Sequence, residues 1–203
     1  MALTGFEHCA TNEYFDRQFG LSAVKVLPGE YYVTNGSTLI VTVLGSCVSV
    51  CLRDKDLGIG GLNHFLLPQD NTAYDNRLIA PSGRYGVYAM ELLINHLLKL
   101  GARKNRLEAK VFGGGRVLKH MTLMNVGDRN VRFVLEHLAS ESIPVVAQDV
   151  LDTYPRKVYF FPKTGKVMLK KIRSLHNTTI LEREKAYLQA IATQPISGAV
   201  DLF

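Results

Sequence analysis

Runs of β-branched and aromatic residues open and close the stretch 23–173 of this chain, and two stretches of helical periodicity lie between them. That order rules out a helix bundle and demands a sheet with helices packed on it. A-V-K-V-L-P-G-E-Y-Y-V-T and S-T-L-I-V-T-V-L read as two strands around a turn at Asn35-Gly36. C-V-S-V-C-L-R alternates apolar and polar residues, Asp54 to Gly58 is turn-like, and I-G-G-L-N-H-F-L-L runs apolar to Pro68, which predicts a β-hairpin. Met90, Leu93, Leu97 and Leu100 have helical spacing before Gly101, a natural stop. L-E-A-K-V-F is a strand leading into Gly113-Gly114-Gly115, and V-G-D-R-N-V-R-F-V-L-E-H-L-A is a second helix with Asp128 near its start. P-V-V-A-Q-D-V is a strand, and R-K-V-Y-F-F-P-K-T-G-K-V-M-L-K-K-I is a hairpin. The fold class expected is α/β: a single-domain sandwich of mainly antiparallel or mixed β-sheet with packed helices.

Three parts are expected. Residues 1–22 are a polar N-terminal arm, with a short helix near Asn12 to Phe19. Residues 23–173 are the domain, with a loop over 69–82. Residues 174–203 are a C-terminal helical extension built on T-I-L-E-R-E-K-A-Y-L-Q-A-I-A-T, its last residues loose.

The chain has 203 residues, 47% of them hydrophobic, enough for one sizeable core. Its net charge of +6 is not gathered into a run. The densest basic group, Lys163 to Arg173, alternates with apolar residues as a half-exposed strand does, and no nucleic-acid motif is present. M-A-L-T-G-F-E-H-C-A lacks the basic and apolar regions of a signal peptide, and no apolar stretch is long enough to insert in a membrane. Three cysteines, Cys9, Cys47 and Cys51, form no disulfide framework. The expected localisation is cytoplasmic, where a cysteine with a special role is reactive or metal-binding.

Cys47 follows a Gly45-Ser46 turn, and His64 lies seventeen residues later. If the two strands pair, partners sum to about 112, which sets Cys47 opposite the neighbourhood of His64 and Phe65. A slip of one residue turns His64 to the other face. Three readings stand. A cysteine in an apolar strand is usually a small core residue, which suits Cys51 well. Cys47, Cys51 and His64 supply zinc-ligand types, but without a C-x-x-C pair or a second ligand pair. A thiolate with an imidazole base is a nucleophile, and N–H groups of the preceding turn suit an oxyanion. The Gly113 to Gly115 run matches no nucleotide fingerprint and is read as a close-packed backbone turn. His8, His96, His120, His137 and His176 show no cysteine or carboxylate constellation.

V-T-V-L-G-S-C-V-S-V-C-L-R-D followed by G-G-L-N-H-F-L-L-P resembles the signature of the chemoreceptor glutamine deamidases, the CheD family. R-Y-G-V-Y-A-M-E-L-L, L-E-A-K-V-F-G-G-G, M-N-V-G-D-R-N and K-V-Y-F-F-P-K-T-G-K-V follow in the family's order, so the resemblance spans roughly residues 24 to 173. It implies a cytoplasmic protein-glutamine glutaminase of bacterial chemotaxis, converting selected glutamines on the signalling helices of chemoreceptors to glutamate. It also implies a fold similar to the catalytic domain of the cytotoxic necrotizing factor toxins, a weak methylesterase side activity, and a CheC-type phosphatase as partner in some members. By the family pattern Cys47 is the nucleophile and His64 the general base. A threonine shortly before the cysteine completes a triad, and Thr42 is the nearest candidate. Backbone N–H groups of the turn over Gly45, Ser46 and Cys47 are expected to hold the oxyanion. No metal or organic cofactor is called for. The competing readings are an adaptor that binds receptors or a CheC-type phosphatase without catalysis, and a transglutaminase or cysteine peptidase of other specificity.

Overall fold

The computed structural model describes residues 8–68, 81–117, 126–172 and 179–193. Strands β1 (Asn12–Asp16), β2 (Leu21–Lys25), β3 (Tyr31–Thr34), β4 (Leu39–Leu44), β5 (Val48–Asp54) and β6 (Ile59–Asn63) precede helix α1 (Pro81–Lys99). Then come β7 (Leu107–Gly113), helix α2 (Val126–Ser140), β8 (Val145–Val150), β9 (Arg156–Phe161), β10 (Lys166–Lys171) and helix α3 (Thr179–Thr193).

The strands form two five-stranded sheets, ordered β1-β2-β4-β9-β10 and β3-β6-β5-β7-β8. Both are mixed, with β2–β4 and β7–β8 parallel and the other pairs antiparallel. The α/β sandwich of mainly antiparallel, mixed sheet is therefore the observed architecture. Period-2 alternation sorts β5 between two cores. Cys51 packs with Val24, Ile40, Leu44, Leu62, Leu66, Phe112, Val158 and Phe160 between the sheets. Val48, Val50 and Leu52 point the other way, onto Met90, Leu93 and Leu97 of α1 and Val131, Val134 and Leu138 of α2. The result is a sheet, a sheet and a helical layer, with β5 buried on both faces as a central strand requires.

Two local expectations differ. The helix expected near Asn12 to Phe19 is strand β1 over Asn12–Asp16, paired with β2, and Asp16 Oδ1 closes the following turn by accepting the N–H groups of Gln18 and Phe19. An eight-residue helix is marginal on its own, whereas the open edge of β2 offers every backbone group a partner. The strand expected from Ala23 to Thr34 breaks at Pro28-Gly29. Gly29 takes φ 86° and the Glu30 carboxylate accepts the Leu27 N–H, so the chain leaves one sheet for the other. The Asn35-Gly36 turn then carries it back, and β3 and β4 lie in different sheets instead of pairing. The loop expected over 69–82, save its last two residues in α1, and the loose end after Thr193 lie outside the described residues, as do His120 and His176.

Candidate active site

The turn before Cys47 is held from behind at every carbonyl. Gly115 N–H donates to Gly45 O and Gly114 N–H to Cys47 O, each at 2.7 Å. Asn130 Nδ2 donates to Ser46 O at 3.0 Å, and the same side chain accepts the Leu67 N–H. The glycine run at 113–115 is thus a close-packed backbone turn, as its sequence indicates. A Cβ on Gly113 would stand 2.2 Å from Cys47 O, and one on Gly115 2.9 Å from Tyr154 O. With its carbonyls drawn back, the turn presents the N–H groups of Gly45 and Cys47 forward, and both converge on one oxygen, Glu184 Oε1, at 3.1 and 3.2 Å. Ser46 adds its hydroxyl, donated to Glu184 Oε2 at 2.6 Å. Two fixed N–H groups aimed at one oxygen make an oxyanion hole in geometry. The amides that converge are those of Gly45 and Cys47, and Ser46 contributes its side chain.

Cys47 and His64 share a face. Asp54 pairs with Ile59 and Cys51 with Leu62, and Val48 bridges Phe65, so partners sum to 113, one more than the expected register. That single residue matters. It places His64 opposite Ser49, on the side of the sheet shared by Cys47, whereas 112 would have turned it to the face of Val48. Both side chains are buried.

Thr42 fixes the histidine. Its Oγ1 lies 2.8 Å from Val26 O and 2.8 Å from His64 Nδ1. A hydroxyl has one proton; given to the Val26 carbonyl, it leaves the oxygen to accept from Nδ1–H. His64 is then the Nδ1–H tautomer, and its Nε2 lone pair, buried and without a partner among the described residues, is free for a proton. Thr42 on β4 and His64 after β6 come from the two sheets, so the pair crosses the sandwich.

Electrostatics hold both groups neutral. Burial, and after it the Glu184 carboxylate, push the Cys47 thiol well up. Burial lowers His64 from 6.5 to about 4, and the nearby Val26 carbonyl opposes the shift. A stability prediction follows. Between pH 6.5 and 4 the unfolded chain binds a proton at this histidine that the folded chain refuses, so folding weakens as pH falls through that window. The loss is roughly 3 kcal/mol from His64, and burial lowers His96 and His137 with the same sign. Urea midpoints at pH 7.5 and pH 4.5 measure it, and equal midpoints would contradict a neutral buried His64.

The zinc grouping does not form. Cys47 and Cys51 are four residues apart along an extended segment, roughly 13 Å, and all three cysteines are free thiols. Burial raises Cys51 strongly, as befits a core residue. His137 does meet carboxylates, Glu91 and Glu141, which its sequence surroundings did not reveal although Glu141 is one helical turn on. Lys104 already pairs with Glu141 at 2.6 Å. Two neighbours of the site escaped the sequence reading. Tyr85 of α1 lies near Cys47, and its hydroxyl meets that of Tyr187 on α3. Glu184 is 137 residues from Cys47, and no motif marks it.

Comparison with known proteins agrees with the motif order. The family model for CheD chemotactic sensory transduction matches residues 66–171, more than half of the chain. A probable chemoreceptor glutamine deamidase CheD 1 of Dechloromonas aromatica is 59% identical over 197 residues, covering 97% of this chain and 96% of that protein. A protein of the same name from Shewanella oneidensis is 61% identical over 192 residues, covering 95% and 93%. The similarity runs past residue 173 and takes in α3. On the family model, the near full-length relatives and the ordered motifs together, the chain belongs to the CheD family.

Proposed function

We propose that this protein deamidates glutamine side chains of chemoreceptors to glutamate, with Cys47 as nucleophile and His64 as general base. The observation that carries the reading is the convergence of the Gly45 and Cys47 N–H groups on a single oxygen beside a cysteine that shares its face with a tautomerically fixed histidine. The names of the CheD relatives supply the substrate.

In the proposed reaction His64 Nε2 takes the Cys47 proton, and the thiolate attacks the carboxamide carbon. The carbonyl oxygen gathers charge under the two amides. Imidazolium protonates the departing nitrogen, the C–N bond breaks and ammonia leaves a thioester. Water, deprotonated by His64, attacks that thioester; the C–S bond breaks and glutamate forms. A methyl ester would follow the same steps with methanol leaving, so weak methylesterase activity belongs to the same site. Among the described residues no helix is long and apolar enough to cross a membrane. A CheC-type phosphatase remains the proposed further partner.

Incubation with a receptor signalling domain, followed by peptide mass spectrometry and an ammonia assay, tests the reading. Conversion at a few glutamines with stoichiometric ammonia supports it. Binding without conversion moves the protein to the adaptor class.

Thr42 is proposed as a positioning residue. Thr42→Val keeps the shape but removes the acceptor for Nδ1–H and the donor to Val26 O. Turnover is expected to fall about 10- to 100-fold, with the acid limb of the pH–rate profile displaced and Thr42→Ser restoring most of the rate. An unmoved pH profile would reduce Thr42 to a strand residue.

A further inference from the structure

Of the α3 side chains described, Glu184 is the one that is fully buried, at 5% exposure, while Glu182, Arg183, Lys185 and Ala186 around it are exposed. A carboxylate is a costly group to bury, and a helix that only needed to dock would bury an apolar residue there. Among the described residues Glu184 finds its compensation in the turn before Cys47: Gly45 N–H and Cys47 N–H on Oε1 and the Ser46 hydroxyl on Oε2. Gly45 is part of the fit, since a Cβ there would stand 2.6 Å from Oε1.

This carboxylate has the identity and the placement of a reaction product. A glutamine that has been deamidated is a glutamate, and Glu184 holds one carboxylate oxygen under the two amides. We infer that α3 is a built-in product mimic: its Glu184 occupies the site into which a receptor glutamine must enter, and the helix has to withdraw before turnover. The inference rests on the deamidase reading above and adds to it how the site is regulated. Because a carboxylate is a poor electrophile, Glu184 can sit against the thiol indefinitely without being consumed. Burial first, and Glu184 after it, hold the thiol protonated, so the closed site is chemically quiet.

The described part of the contact continues along one face of α3. Glu184, Tyr187 and Leu188 lie at i, i+3 and i+4 on one face. Tyr187 packs on Gly29, where a Cβ would meet its ring at 2.7 Å, and its hydroxyl meets Tyr85; Leu188 is only partly buried against the core. A receptor helix carrying a glutamine would use the same groove, so α3 and substrate exclude one another.

The test turns the mimic into a substrate. In full-length Glu184→Gln, position 184 becomes a carboxamide seated at Cys47. The thiolate forms a C–S bond, ammonia leaves with the proton from His64, and water cleaves the thioester, so the chain restores its own Glu184. Peptide mass spectrometry is expected to find glutamate at position 184 after incubation, at a rate independent of protein concentration. In the Cys47→Ala, Glu184→Gln double variant the carboxamide is expected to remain. Full-length Glu184→Ala is expected to convert receptor glutamines several-fold faster than the unmodified protein and to expose Cys47 several-fold more to a thiol reagent. Persistence of the carboxamide in a Glu184→Gln protein that still deamidates receptors overturns the inference and leaves the deamidase reading intact. A Glu184→Ala rate no higher than that of the unmodified protein also overturns it. Conversion of neither the carboxamide at position 184 nor receptor glutamine would remove the deamidase reading and the inference with it.

Discussion

Cys47→Ala is expected to abolish conversion of receptor glutamine, by a thousand-fold or more, in a protein that remains folded. The two halves of that result have separate causes. Cys47 is 0% exposed and packs in the inter-sheet core, so loss of its sulfur leaves a small void costing about 1 kcal/mol. The turn does not depend on the thiol. Its three carbonyls are held by Gly115, Asn130 and Gly114, none of which contacts Sγ in doing so. The Gly45 and Cys47 amides therefore survive the substitution, and what is lost is the proposed nucleophile alone. Circular dichroism and a urea midpoint near that of the unmodified protein, combined with no ammonia release, would be the full signature. Residual turnover above a few per cent in a folded Cys47→Ala protein would move the chemistry to another group. Cys47→Ser is the sharper version: a serine hydroxyl fills nearly the same volume, but at neutral pH it is a far weaker nucleophile toward a carboxamide with only a neutral histidine to activate it.

Much of this site was legible in the chain. The period-2 run of β5 fixed which residues share a face, and L-G-S-C with N-H-F-L-L-P marked Cys47 and His64. What alternation cannot supply is register. A sum of 112 or 113 fits the same apolar pattern equally well, and the choice is made by the turn, where Gly58 takes φ 66° and Asp54 Oδ1 accepts the N–H groups of Asp56 and Leu57. Nor does alternation say which sheet a strand joins, which is why β3 and β4 read as neighbours and lie apart. The Thr42–His64 bond inherits that problem, since it joins two sheets whose pairing is set by β2, β9 and the break at Gly29. Glu184 was the least legible of all. In sequence it is one acid in a mixed helix, L-E-R-E-K-A-Y-L, and its neighbours give it an ordinary solvated look. Only the tertiary placement of α3 reveals that the second acid, not the first, is turned inward.

Gly113→Ala is expected to damage stability and activity together. Gly113 has φ 109°, and its would-be Cβ meets Cys47 O at 2.2 Å and Val48 Cα at 3.1 Å. Both obstacles are backbone, so no side chain can swing aside. Relief has to come from moving Gly113 or the Cys47 carbonyl. Gly113 is tied down by the Leu151 N–H on its own carbonyl and by its pairing with Val48; the Cys47 carbonyl is tied to Gly114 N–H. Strain of this kind costs roughly 3–5 kcal/mol. Whatever shift relieves it also disturbs Cys47, whose amide forms half of the proposed oxyanion hole, and a misplacement of about 1 Å there is expected to lower turnover on the order of 100-fold. Gly101→Ala separates clash from backbone preference. Gly101 has φ 98° but nothing within 4 Å of a Cβ, so its cost is conformational alone, about 1 kcal/mol. Urea unfolding and deamidation at equal folded concentration should thus divide the two variants, with Gly101→Ala mildly destabilised and fully active, and Gly113→Ala crippled in both. Should Gly113→Ala prove as mild as Gly101→Ala, the nucleophile turn is not braced by the glycine run, and the rigidity that makes its amides an oxyanion hole must come from Asn130 instead.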